Sequence, residues 1–417
     1  MKTNIARSGL VRLGVYLWDY KVTLQGKYLI AGLIMATSAG VASLDMPLYH
    51  LVCGLSALFL ITFLAGLFLR PRIIIEGQLS SKTSAGHTIE GNFTVKNLSR
   101  LPVFSVSLGF FGLPVSIREV SDTRTVLDLK PGETASITVH LQPLKRGFYA
   151  MPGVKPYSTF PFNIFRTGPP VYNVGQLLVL PDFHPATDID IPASRRYQPG
   201  GIALTSQVGE SMEYIGNRDY LPGDSLSKID FRSWGRLAKP VVREYQEEYY
   251  CRIALVLDTF VPSGTKFTPE GYPELEAAIS LCATVADVLS RTEYIIDIFA
   301  AGPELYVFRA GRDTAHIENV LDILACLDAC KTNPFEILAP SIVDELSNIS
   351  TIMCVFLSWD ESRMRLVREA AEVGCKVKIL FVTRDDTHQS LADLEQWADS
   401  VSVYTPETIR KGSIEII

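Results

Sequence analysis

Two long apolar runs stand out in the pattern of hydrophobic and polar positions. Tyr28 to Leu44 and Leu51 to Leu69 contain no charged side chain, and a short stretch holding Asp45, Pro47 and His50 separates them. Each run is long enough for a membrane-crossing helix, which takes about 17 to 25 apolar residues, so the pair predicts a transmembrane hairpin with helices over about 28–44 and 48–69. From Arg72 the period changes to two. Short alternating runs at Arg72–Glu76, Asn92–Lys96, Phe104–Leu108, Thr134–Leu141 and Gln176–Leu180, broken by turns such as Lys130-Pro-Gly-Glu133, predict an antiparallel β-sandwich-like domain over 71–185. The last part alternates buried-type strands with helical spacing. Strands are expected at Arg252–Asp258, Tyr294–Phe299, Leu305–Phe308, Thr351–Leu357 and Val377–Val382, with helices through Leu275–Leu289, Ile317–Leu327 and Met364–Ala371. That alternation predicts a mostly parallel sheet covered by helices over 251–417, a Rossmann-type α/β layout. The segment 186–250 between the two domains is polar and rich in turn residues, and it reads as loop-rich.

Composition and charge add topology. The chain has 417 residues and a formal charge of −6, which argues against a generally basic nucleic-acid binder. The charge is split: residues 1–250 carry 25 basic and 19 acidic side chains, and residues 251–417 carry 14 and 26. Lys2, Arg7, Arg12, Lys21 and Lys27 precede the first apolar run, Arg70 and Arg72 follow the second, and the connection has no cation. By the positive-inside rule both ends are expected on the cytoplasmic side of an inner membrane, with two helices crossing it. Ile5–Tyr20, apolar among cations, is expected to lie on the same leaflet. The seven cysteines are scattered with no Cys-x-x-Cys pair, which fits reduced, packed thiols. Cys326 and Cys330 are expected to share a helix face in the core.

Candidate chemistry concentrates between Tyr214 and Glu248. Arg218, Arg232 and Arg236 have the geometry to form forked pairs with Asp219, Asp224 and Asp230, and Pro222-Gly223-Asp224 reads as a tight turn whose Asp caps a following helix. Two readings stay open: an internal ion-pair network, the plainer one, or a site for an anion or acidic partner. No Walker A run, nucleophile elbow, His-Glu-x-x-His helix or Rossmann glycine fingerprint occurs. His87, His140, His316 and His388 stand isolated.

Arg218-x-Tyr220-x-Pro222-Gly223-Asp224, then Ile229-Asp230-Phe231-Arg232, Arg236 and Val242-Arg243-Glu244 with Glu248, resemble the signature of the bacterial domain-of-unknown-function family 58. Lys145-Arg146-Gly147-Phe148-Tyr149 and Phe160-Pro-Phe-Asn-Ile-Phe165 are similar to its β-domain. Phe231 stands where the family usually has Trp, and Trp234 lies in a stretch usually made of small residues. The resemblance implies a membrane anchor, a C-terminal von Willebrand A-like domain, and association with a MoxR-type AAA+ ATPase and neighbouring membrane proteins. It also makes Arg218, Tyr220, Pro222, Gly223, Asp224, Asp230, Arg232, Arg236, Arg243 and Glu244 the residues of interest, with structural or partner-binding roles.

A von Willebrand A-like domain can hold Mg²⁺ at the carboxyl edge of its sheet through an Asp-x-Ser-x-Ser turn and distant oxygens. Here Phe260 and Pro262 occupy the serine positions after Asp258, so Asp258, Ser358 and Asp360 form at most a degenerate set. The expected function is a non-enzymatic, membrane-anchored adaptor that uses the C-terminal domain for protein–protein interaction. The alternatives are an enzyme or anion-binding module built on Arg218–Arg243, and a metal-dependent adhesion module.

Overall fold

The computed structural model describes residues 14, 16–43, 46–120, 125–169, 171–192, 196–202, 208–222, 224, 226–246, 249–250, 252–262, 264–291, 295–301, 305–309, 317–384, 396–414 and 416–417. Most of Ile5–Tyr20, together with Asp45, Gly223, Glu248, Cys251, Tyr294, His316 and His388, lies outside them. The chain divides into two compact units, Met1–Val179 and Leu180–Ile417.

In the first unit a π-helical turn, Leu17–Lys21, precedes helices α1 (Leu24–Ser43) and α2 (Met46–Phe68). Among the described residues α2 is the one helix long and apolar enough to cross a membrane, and it is almost entirely unburied. Most of its large apolar side chains, including Leu60, Phe63, Leu67 and Phe68, are exposed. A soluble fold would bury such a row, since each costs about 1.5–3 kcal/mol to leave in water.

Ten strands follow: β1 (Ile73–Leu79), β2 (Lys82–Ser84), β3 (Ile89–Asn97), β4 (Val103–Phe110), β5 (Ile117–Glu119), β6 (Val126–Leu129), β7 (Thr134–Pro143), β8 (Gly147–Ala150), β9 (Val154–Ser158) and β10 (Gln176–Leu180). They form sheets ordered β1-β3-β7-β5, β6-β4-β9 and β2-β10-β8, antiparallel throughout the first two and between β10 and β8. Strict alternation in β3, where Ile89, Gly91, Phe93, Val95 and Asn97 are buried and their neighbours exposed, turns one face into the shared core with Val106, Leu108, Ile137, Val139 and Leu177. Asn97 is sealed in that core because its side chain donates to the carbonyls of Leu101 and Leu129.

The second unit is built on a six-stranded sheet. Its strands are β15 (Arg252–Leu257), β16 (Ile295–Ala301), β17 (Leu305–Arg309), β18 (Thr351–Phe356), β19 (Lys376–Val382) and β20 (Ser400–Tyr404), ordered β17-β16-β15-β18-β19-β20. All neighbours are parallel except the edge strand β17. The central strands β15, β18 and β19 are buried on both faces, which explains their unbroken apolar runs. Helices α4 (Pro273–Ser290), α5 (Ile317–Cys326) and the short α8 (Pro406–Arg410) cover one face; α6 (Phe335–Val343) and α7 (Glu361–Glu372) cover the other. The segment 180–191 packs on the first of these faces through Leu180, Phe183, Ala186 and Ile189. Cys326 is exposed at the end of α5 and Cys330 is buried beyond it, so the two do not share a helix face.

The segment expected to be loop-rich is largely extended. It contains β11 (Arg196–Ile202) paired with β14 (Tyr249–Tyr250), and a hairpin of β12 (Val208–Asp219) with β13 (Val241–Gln246), with helix α3 (Phe231–Leu237) between the hairpin strands in sequence.

Candidate functional site

The sequence singles out two places, and the structure builds each differently. At the carboxyl end of β15 the chain leaves the sheet at Asp258, which is completely buried. Its Oδ1 accepts the Phe260 backbone N–H at 3.0 Å, and its Oδ2 accepts the Leu357 N–H at 3.1 Å from the neighbouring β18 edge. The same Oδ2 accepts Arg363 Nε at 2.9 Å and Nη2 at 2.7 Å. Arg363 is equally buried and stands in the first turn of α7. Asp360 caps that helix by accepting the Arg363 N–H at 3.1 Å, and its second oxygen takes Arg363 Nη1. The guanidinium plane is held between rings, 4.8 Å from the Phe335 centroid and 5.9 Å from that of Phe260.

The carboxyl edge of the sheet at Asp258 is therefore occupied by a side-chain cation. Asp258 and Asp360 are brought together, but through Arg363, and Ser358 stays exposed beside them. Phe260, which leaves no side-chain oxygen for a metal, instead packs against the guanidinium. Burial pushes the Asp258 carboxyl upward, and the Arg363 charge with the two backbone N–H groups opposes that shift. Asp360 is held below its ordinary value: its partial burial acts in the raising direction and is outweighed by hydrogen bonds from Ser362 and Arg363. Among the described residues no group of three His, Cys, Asp or Glu side chains is arranged to hold a metal.

Sequence reasoning missed Arg363, although a signal was present. It lies at helical spacing with Leu366, Val367 and Ala370, all buried, so a charge sits on the apolar stripe of its helix.

The signature segment is a network with an exposed crest. Arg218 makes a forked pair with Asp224, Nη1 and Nη2 each 2.7 Å from a carboxylate oxygen, and Asp224 also accepts the Leu221 N–H. These bonds, that of Arg218 first, pull the Asp224 pKa down to about 2. Asp224 thus closes its own turn, and the cap of the following helix is Asp230. Asp230 accepts the Arg232 N–H, the Ser233 hydroxyl and the Asn217 amide, and Arg243 lies 3.5 Å away. Lys239, rather than an arginine, pairs with Asp219. Tyr220 donates its backbone N–H to Pro240, and Pro222 is exposed. Gly223 lies outside the described residues, as does the side chain of Glu244.

Arg232 and Arg236 differ from the other signature arginines: both point from α3 into solvent, without an ion pair among the described residues. Around them Leu221, Leu226, Phe231, Trp234 and Leu237 are exposed, with Phe231 at 69%. The Phe231 and Trp234 rings stack at 6.0 Å. A cluster of exposed apolar side chains with cations at its margin is the composition of an interaction surface.

No family model matches the chain, and no curated protein matches it. Among solved structures, the CARDB domain of the PF1109 protein of Pyrococcus furiosus is 17% identical and covers 26% of this chain and 94% of its own, with a TM-score of 0.19. Proximal thread matrix protein 1 from the mussel byssus is 9% identical over 39% of this chain and 43% of its own, with a TM-score of 0.29. The human COPII-coat protein Sec24c is 11% identical over 37% of this chain and 29% of its own, with a TM-score of 0.25.

Proposed function

We propose that the protein is a membrane-anchored adaptor, without catalysis of its own, whose C-terminal α/β unit binds a partner protein. The observation that carries this reading is the crest of α3, where Phe231, Trp234 and Leu237 stand exposed beside Arg232 and Arg236. Exposed aromatic and arginine side chains are the residue types that dominate protein interfaces. The two cations favour an acidic rim on the partner. The exposed apolar helix α2 supports anchoring, and α1, which precedes it and is equally free of charge from Tyr28 onward, supports a two-span hairpin with both soluble units on the cytoplasmic side.

The Arg363–Asp258 pair supports a binding role over a metal-dependent one, because the oxygens a cation would need are already committed. The pairing of Arg218 with Asp224 and Arg243 with Asp230 likewise leaves little of the segment for an enzymatic anion pocket. The similarity of the signature to family 58 supports a von Willebrand A-like unit and a MoxR-type AAA+ ATPase as the partner. Co-purification from detergent with a MoxR-type AAA+ ATPase, with and without ATP, tests the reading. Capture by the parent chain and its loss in Phe231→Ser/Trp234→Ser is the expected result; no association in either nucleotide state overturns it.

A further inference from the structure

The loop that follows β9, Thr159–Thr167, leaves the sandwich and packs on the helices. Thr23 donates its N–H to the Ile164 carbonyl at 3.0 Å, Arg166 donates its N–H to Lys21 at 2.7 Å, and the Asn163 amide reaches Gln25 at 2.9 Å. Two glycines permit the approach. A Cβ on Gly26 of α1 would stand 2.4 Å from the Ile164 carbonyl oxygen, and one on Gly66 of α2 would stand 2.7 Å from Thr167. The Phe165 ring meets Phe59, 6.0 Å away. Phe59 lies about 14 Å inside the end of α2 at ~1.5 Å per residue, so the loop reaches alongside the apolar span. At its tip Phe162 is 49% exposed.

Cations ring the root of this loop. Lys155 sits 4.4 Å over the Tyr20 ring and 5.0 Å over Tyr16, and Lys21 sits 5.5 Å over Tyr20. Arg166 lies 5.2 Å over Tyr157 and donates to the Tyr20 carbonyl, while its Nε is buried with no partner. Neither Lys21 nor Lys155 has a carboxylate partner among the described residues; Asp19 is taken by Lys27. The carboxylate whose field reaches Arg166 is Glu119, which burial pushes upward. Burial, and for Lys21 the nearby Arg70 and Lys155 as well, lowers both lysines. The cluster thus has positive charge in excess and an N–H to spare, on aromatic rings of the kind that settle at a membrane surface.

We propose that the foot of the β-domain is a phospholipid site: the Thr159–Thr167 loop is embedded in the leaflet beside α1 and α2, and Lys21, Lys155 and Arg166 bind the phosphate of an anionic lipid headgroup. This rests on the membrane-anchored reading. The full chain is reconstituted in phosphatidylcholine vesicles with and without phosphatidylglycerol, and retained lipid is read by native mass spectrometry. The parent chain is expected to retain phosphatidylglycerol. Lys21→Gln/Lys155→Gln loses about fivefold per cation, and Lys155→Arg keeps the parent level, which separates charge from folding. Phe162→Trp gains quenching by brominated acyl chains over the parent's own tryptophans. Equal retention by parent and double variant, or no added quenching, overturns the proposal. Complete displacement of lipid by inorganic phosphate also overturns it, in favour of a soluble phosphate ligand. Alkaline carbonate separates the two readings: a chain that stays in the vesicles without lipid preference refutes the site alone, and a chain that is extracted refutes the anchor and the site together.

Discussion

Arg363 reaches Asp258 across 105 residues of sequence, with two nitrogens on one carboxylate oxygen at 2.9 and 2.7 Å and both side chains sealed from solvent. The bridge ties the first turn of α7 to the ends of β15 and β18. Removing one partner leaves a buried charge unpaired, which costs about 3–5 kcal/mol. Arg363→Met should therefore destabilise the C-terminal unit by that amount, read from hydrogen exchange of the β15 and β18 amides. Adding Asp258→Asn should cost much less than a second full penalty, because the orphaned charge is gone; strict additivity would show that the two residues act independently.

The same bridge predicts the response to metal. Calorimetric titration of the full chain with Mg²⁺ or Mn²⁺ should show no micromolar binding, because each carboxylate oxygen of Asp258 and Asp360 already accepts a hydrogen bond and the Arg363 charge lies between the two carboxylates. Micromolar affinity that disappears in Asp258→Ala would mean that Arg363 yields the position to an ion.

The Arg218–Asp224 fork predicts an acid response in the signature segment. The folded-state pKa of Asp224 is about 2 against an ordinary 3.8, so its contribution to folding is fully present above the ordinary value and is lost as pH falls toward 2. A carboxyl ¹³C titration of labelled protein should place the Asp224 midpoint near 2, and Arg218→Gln should return it toward 3.8. A midpoint unchanged by that substitution would assign the depression to the Leu221 N–H instead.

Gly26→Ala should weaken the attachment of the β-domain to α1 by roughly 1–3 kcal/mol, as overpacking against unyielding backbone does. Gly66→Ala should cost less, since its obstacle is a Thr167 methyl that can rotate away. Melting of both variants in detergent checks the order; equal losses would show that the Thr167 side chain is held as firmly as the Ile164 carbonyl.

The elements with a clean period were readable in the chain. β3, β7 and β15 match the alternating or unbroken apolar runs that predict them, and α4 matches the helical spacing from Leu275 to Leu289. α6 gave no such signal because Pro340 lies inside it, and proline ordinarily marks a helix break. The strands β12 and β13 were hidden in a segment of dense charge and turn residues that carries neither a clean alternation nor an unbroken apolar run, although the two pair as a hairpin. The candidate site was half legible: Asp258, Asp360 and the loss of ligand oxygens at Phe260 and Pro262 are plain in the sequence. Arg363 was not, because its partner is distant along the chain and only the three-dimensional fold places the α7 stripe over the β15 edge. The signature aspartates were visible as pairing partners, but the geometry redistributes them, with Asp230 rather than Asp224 capping α3 and Lys239 rather than an arginine meeting Asp219.

An ion in a coordination site comes and goes with its concentration, and a site that depends on one can be emptied by chelation or competition. A guanidinium carried on the same chain as its carboxylate has no such equilibrium with the medium; its occupancy is complete whenever the domain is folded. Whatever surface the C-terminal unit presents around Asp258 is therefore set whenever the unit is folded, whatever the metal concentration of the medium.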